Sequence, residues 1–172
     1  MKTPMLLLLL SFSQLLLITI LPFASADLVD DTCKKTPYAD FCASTLRSDP
    51  RSSTADTKTL GLIMVDKVDV NAMSTLAKIE DLLGKSPGPG TKQALTSCEE
   101  SYKIITSAMV PSSKDSLTKG DYKYAVYYMN SAANDATECE AGFGGSKSPL
   151  SDSNDYEHKA ASVASAIAST LL

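Results

Sequence analysis

The stretch LTSCEESYKIITSAM, residues 95–109, sets Leu95, Cys98, Tyr102, Ile105 and Met109 at steps of three, four, three and four. Residues spaced this way line one side of an α-helix and form a seam that must be covered by other helices. A strand would need strict alternation, which is absent here. The seam carries a cysteine, so this helix is also a candidate for a covalent tie to a neighbour.

Reading downstream, Pro111 is predicted to kink or interrupt the helix, which resumes through Leu117 and stops at Gly120. Asp121 is placed to cap a third helix, whose inward residues are Ala125, Met129, Ala132, Ala136 and Cys139. Gly142, Gly144 and Gly145 end it. After Pro149, Ser151 or Ser153 is predicted to cap a last helix with Tyr156, Ala160, Val163, Ile167 and Leu171 on one face. Upstream, Thr54-Ala55-Asp56 opens a long helix with Leu60, Met64, Val68, Leu76, Ile79 and Leu83 on its apolar face. Gly84 and the Ser-Pro-Gly-Pro-Gly run at 86–90 end that one. Short connections favour antiparallel neighbours, so residues 51–172 are predicted to be an all-α, up-down-up-down four-helix bundle.

The N-terminus reads differently. Lys2, an apolar run from Met5 to Leu21, Pro22 and the Ala24-Ser25-Ala26 site describe a secretory signal peptide over residues 1–26. Its removal leaves one domain, residues 27–172, with no second segment able to span a membrane. Residues 27–50 are expected to form a helical hairpin, turned at Thr36-Pro37-Tyr38 and ended by Asp49-Pro50. In a secreted chain, four cysteines imply two disulfides. Three connectivities are possible. The short interval favours Cys33–Cys42, which leaves Cys98–Cys139, and both of the latter fall on inward stripes. No Asn-x-Ser/Thr acceptor occurs at Asn71, Asn130, Asn134 or Asn154.

The formal charge is −4, with no basic stripe, and argues against nucleic acid as a partner. No nucleophile elbow, zinc-protease motif, P-loop or dinucleotide glycine pattern occurs, and no cofactor is implied. His158, the sole histidine, stands in Asp-Tyr-Glu-His-Lys and reads as a solvated residue of a charged first helical turn. The pairs Asp30-Asp31 and Glu99-Glu100 read as solvated charge, since adjacent residues on a helix point apart. One element is left over: Tyr122-Lys123-Tyr124, a cation between two aromatic rings at a helix start. It reads either as Tyr122 packed inward beside a solvated lysine, or as a recognition element carried by a rigid scaffold.

These features together resemble the plant invertase and pectin methylesterase inhibitors. The motifs are TCKKTPYADFC at 32–42, SDPRSSTADTKTLGLIMVDK at 48–67, LTSCEESYK at 95–103, LTKGDYKYA at 117–125 and ATECEAGF at 136–143. Within that family, TLGLIMVDK, LTKGD and GFGGSKSPLS look most like inhibitors of cell-wall and vacuolar invertase. The resemblance implies a non-catalytic protein that blocks the substrate cleft of acid invertase, a retaining glycosidase with two close carboxylates. In that branch a Pro-Lys-Phe motif enters the cleft; the matching residues here are Tyr122, Lys123 and Tyr124, with tyrosine in place of proline. The expected location is the apoplast, with the vacuole as the alternative. Pectin methylesterase is the alternative target, and a family member without an enzyme target is a third reading. The absence of a further cysteine in 163–172 leans away from the esterase, and Tyr122 leans towards it.

Overall fold

The computed structural model describes residues 28–145 and 148–172. The expected signal peptide lies outside them. Helices α1 (28–33) and α2 (Ala39–Arg47) form the N-terminal hairpin. A 3-10 turn, Pro50–Thr54, leads into α3 (Thr57–Gly84). The second rod runs as α4 (Pro89–Ile104), one π-helical segment (Ile105–Met109) and α5 (Val110–Lys119). Helices α6 (Tyr122–Ala141) and α7 (Ser151–Ser169) complete the chain.

The side-chain contacts fix the directions. Cys98 near the start of the second rod is bonded to Cys139 near the end of α6. Lys114, near the end of that rod, pairs with Asp66 and Asp69 early in α3. Thr137 and Glu140 of α6 meet His158 and Ser151 of α7, while Val126 meets Ser165. Asn71 of α3 reaches Ser153 and Glu157 of α7. Each neighbouring pair is therefore antiparallel, and the four rods form an up-down-up-down bundle.

Local chemistry explains most of the ends. Asp56 accepts from the Thr59 N–H at 2.7 Å and starts α3. Gly120 takes φ of 85°, and Asp121 N–H returns to the Ser116 carbonyl at 2.8 Å. That six-to-one bond with a left-handed glycine is the Schellman arrangement. It turns the chain from the second rod into α6.

Three sequence expectations need correction. Pro111 does not interrupt its helix. The π-helical segment lies directly before it, with Val110 N–H bonded to Ile105 O. The wider turn accommodates the missing proline donor. Hydroxyls of Thr106 and Ser107 donate to the Tyr102 and Lys103 carbonyls in the same region. Asp121 occupies the cap position of α6, but its side chain makes no capping bond. Neither Ser151 nor Ser153 caps α7. Leu150 stands at that position, and Ser148 Oγ accepts from its N–H at 3.0 Å.

The core is built from Leu60, Ile63, Met64, Val68 and Ile79 of α3 with Leu95, Tyr102, Ile105 and Leu117 of the second rod. Burying one such side chain stabilises by roughly 1.5–3 kcal/mol. The buried residues of α6 and α7 are mostly small: Ala125, Ala132, Ala133 and Ala136 on α6, and Ala160, Ala161, Ala164 and Ala168 on α7. Leu76 and Leu83, expected on the α3 stripe, are only half-buried. Outside the bundle, Cys33–Cys42 closes the hairpin. Phe41 packs edge-to-face on Tyr156 at 5.2 Å and joins it to α7.

Two stability outcomes follow from this architecture. Replacing Cys98 and Cys139 together by Ala opens a constraint spanning 41 residues, and urea unfolding should show a loss of about 4 kcal/mol. Gly120→Ala places a side chain at φ of 85°, and the same assay should show a loss of about 1 kcal/mol.

Candidate functional site

The start of α6 lies at the pole of the bundle opposite the Cys98–Cys139 bond. Twenty residues of helix put about 30 Å between the two ends. The Schellman turn at Gly120 aims the chain so that Tyr122, Lys123 and Tyr124 form the first turn of α6.

These three residues do not share one environment. Tyr122 is half-buried and packs on the core. Lys123 and Tyr124 are exposed, and Tyr124 is 61% exposed. Tyr127, one turn along, is 63% exposed and packs edge-on against Tyr128 at 5.5 Å. Residues three apart on a helix are surface neighbours. The outward face is thus Lys123, Tyr124 and Tyr127, with Tyr122 as its footing. Sequence reading missed Tyr127, although its i+3 spacing from Tyr124 was visible.

Charge at this end is already partly committed. Lys119 pairs with Asp115, and Lys114 with Asp66 and Asp69. Lys123 makes no ion pair among the described residues. A free ammonium beside two exposed phenol rings is a strong donor with apolar flanks. A hollow of about 640 Å³ lies at the other pole, lined by Gly88, Ala94, Ser97, Gly142, Phe143 and Pro149 among others.

Among the described residues no three His, Cys, Asp or Glu side chains assemble as a metal site would require. No helix there is long and apolar enough to cross a membrane. His158 is not the solvated residue that its charged neighbours suggested. It is half-buried, with Nδ1 3.0 Å from Thr137 Oγ1 and 3.1 Å from the Ala133 carbonyl. Its Nε2 lies 3.1 Å from the Tyr38 hydroxyl, so the ring bridges the hairpin to α6 and α7. Hydrogen bonds from Arg51 hold the Asp49 carboxyl well below the usual carboxylate range. Arg51 also reaches Asp66, joining the 3-10 turn to α3.

A larger miss lies between the helices. The run 155–159 reads as a charged first turn, yet it falls in the second turn of α7, where Glu157 is 0% exposed. Around it stands a polar network. Tyr102 donates to Asn154 Oδ1 at 2.8 Å, and Asn154 donates to Glu140 Oε2 at 2.7 Å. Ser151 donates to Glu140 Oε1 at 2.6 Å. Burial pushes the Tyr102 phenol far above its ordinary value, with the Glu157 charge adding to the shift.

Residues 27–169 match the family model described as plant invertase/pectin methylesterase inhibitor. A cell wall / vacuolar inhibitor of fructosidase 1 from Arabidopsis thaliana is 38% identical over 144 residues, covering 84% of this chain and 69% of that protein. A pectinesterase inhibitor from Actinidia deliciosa is 32% identical over 122 residues, covering 71% of this chain and 65% of that protein. Among solved structures, a mutant form of a pectin methylesterase inhibitor from Arabidopsis superposes with a TM-score of 0.71. That match has 21% identity and covers 81% of this chain and 94% of the other, and it speaks for the fold alone. The family match runs through the bundle and the hairpin alike, and this chain belongs to the plant invertase/pectin methylesterase inhibitor family, whose members inhibit enzymes and are not enzymes themselves.

Proposed function

We propose that this protein is a secreted, competitive inhibitor of plant acid invertase, and that Lys123 is its anchor. The observation that carries the reading is the exposed ammonium of Lys123 in the first turn of α6, which makes no ion pair among the described residues. An exposed cation beside exposed aromatic rings suits insertion into another protein's cleft. A retaining glycosidase holds two carboxylates about 5 Å apart in its cleft, and these attract a lysine. Tyr124 and Tyr127 are positioned to cover the sugar-binding walls beside it. Tyrosines at an interface supply large contact area at low entropic cost. No catalytic group and no cofactor takes part; occupancy alone excludes sucrose.

Likeness to an inhibitor of fructosidase at 38% identity supports the target, and the words cell wall / vacuolar in that relative's name support secretion to the apoplast, with the vacuole as the alternative. Pectin methylesterase is the second reading. It is favoured by Tyr122, which stands where a proline is expected in the invertase-directed branch, and by likeness to a pectinesterase inhibitor.

Lys123→Ala tests the anchor. The account expects at least about 2 kcal/mol of binding to be lost, read as roughly thirty-fold weaker inhibition of a plant acid invertase. Stability should be unchanged, because Lys123 is exposed. Undiminished inhibition removes the role assigned to Lys123.

A further inference from the structure

Glu157 occupies the seam between α3 and α7 and takes no part in the surface described above. Its Oε2 accepts from Asn71 Nδ2 at 2.7 Å. Its Oε1 is buried without a hydrogen-bond partner. The Asn71 amide is shared with the Ser153 carbonyl at 3.1 Å, so a single side chain serves both acceptors.

The groups facing Glu157 are acids or neutral. From α3 come Asn71 and the charge of Asp69. From the second rod comes the Tyr102 phenol, and beside Glu157 on α7 stands Tyr156. Glu140 of α6 lies beyond Asn154. Burial raises its carboxyl, but hydrogen bonds from Ser151 and Asn154 hold it below its ordinary value. The nearby cations are engaged elsewhere. Lys114 is held by Asp66 and Asp69, Lys159 pairs with Asp155, and His158 turns to α6 and the hairpin. Glu157 forms no ion pair among the described residues.

An ionised carboxylate with one oxygen unpartnered, no counter-ion and a second negative charge close by is very costly in a buried seam. The neutral acid costs far less in the same place. We propose that Glu157 is an acid latch: its neutral carboxyl closes the seam between α3 and α7, and its ionisation loosens that seam, so the fold is more stable in an acidic medium than in a neutral one. This device is independent of which enzyme the protein inhibits.

The direction follows from linkage. Burial pushes the Glu157 carboxyl up to about 8, with the Asn71 hydrogen bond opposing and Asp69 adding. In the unfolded chain the same group loses its proton near 4.5. Between those values the folded protein holds a proton that the unfolded chain has released. The contribution of Glu157 is therefore complete below about 4.5 and is lost as pH rises through about 8. Within that window the unfolding constant rises by up to about ten-fold per pH unit. Asp49 and Asp56, both lowered by hydrogen bonds, act the opposite way and weaken the fold only in stronger acid.

The test is urea unfolding of the disulfide-intact protein and its Glu157→Gln variant at pH 4.5, 6 and 8, a range spanning the two titrations. Glutamine keeps the shape and cannot ionise. The ratio of the two unfolding constants should change by at least about 100-fold across the range, with the wild type losing ground as pH rises. Parallel pH profiles would overturn the proposal. If the variant does not fold, ¹³C NMR of the wild-type glutamate carboxyls decides the question. A Glu157 signal still neutral at pH 6 supports the latch, and one that ionises near 4.5, its unshifted position, refutes it.

Discussion

The bond between Cys98 and Cys139 is the constraint on which the arrangement of the bundle depends. The side chains that α6 buries are mainly alanine, and α7 too buries several alanines. Small side chains let two helices approach closely, but each buries little apolar surface. A helix held by such a face needs another tie. The disulfide supplies it at the C-terminal end of α6 and fastens that helix to the larger core of α3 and α4. With one end fixed covalently and its inward face buried, the other end of α6 is a firm mount. Lys123 and Tyr124 stand on that mount, so the staple and the candidate site sit at opposite ends of one helix.

The interior polar network serves a second purpose. Alanine seams slide easily, because one methyl resembles the next. Tyr102, Asn154, Glu140 and Ser151 meet in one register only, and Asn71 with Glu157 fixes α7 against α3. Buried polar groups are costly when unmatched, so a shifted packing would leave several acceptors and donors unpaired. The bundle takes its cohesion from aliphatic burial and the disulfide, and its register from these hydrogen bonds.

Much of this was legible in the sequence. The three-four stripes place Leu95, Cys98, Tyr102 and Ile105 inward, and all four are buried. Gly120 announces the turn before α6, and it adopts the left-handed conformation that glycine favours. Other features depend on tertiary context that no local pattern contains. Pro111 follows local rules only if the preceding turn is an ordinary α-turn, and here that turn is π-helical. Glu157 looks like surface charge because its neighbours Asp155 and Lys159 are surface charges; one helical position decides which of the three faces α3. Of Tyr122, Lys123 and Tyr124, the sequence marks the trio but not its split into a half-buried footing and an exposed pair. Tyr127 completes the outward face from the second helical turn, beyond the motif that marks the trio.

Membership of the inhibitor family leaves a choice between two kinds of enzyme, and the reading proposed above takes invertase. That proposal rests on the unpaired Lys123 beside the exposed rings of Tyr124 and Tyr127. The most direct measurement is a side-by-side titration of the disulfide-intact protein against one plant acid invertase and one plant pectin methylesterase, at about pH 5, where carboxylates are near their reference range. The account predicts that invertase activity falls with added protein while esterase activity stays unchanged. Loss of esterase activity with invertase untouched would contradict it.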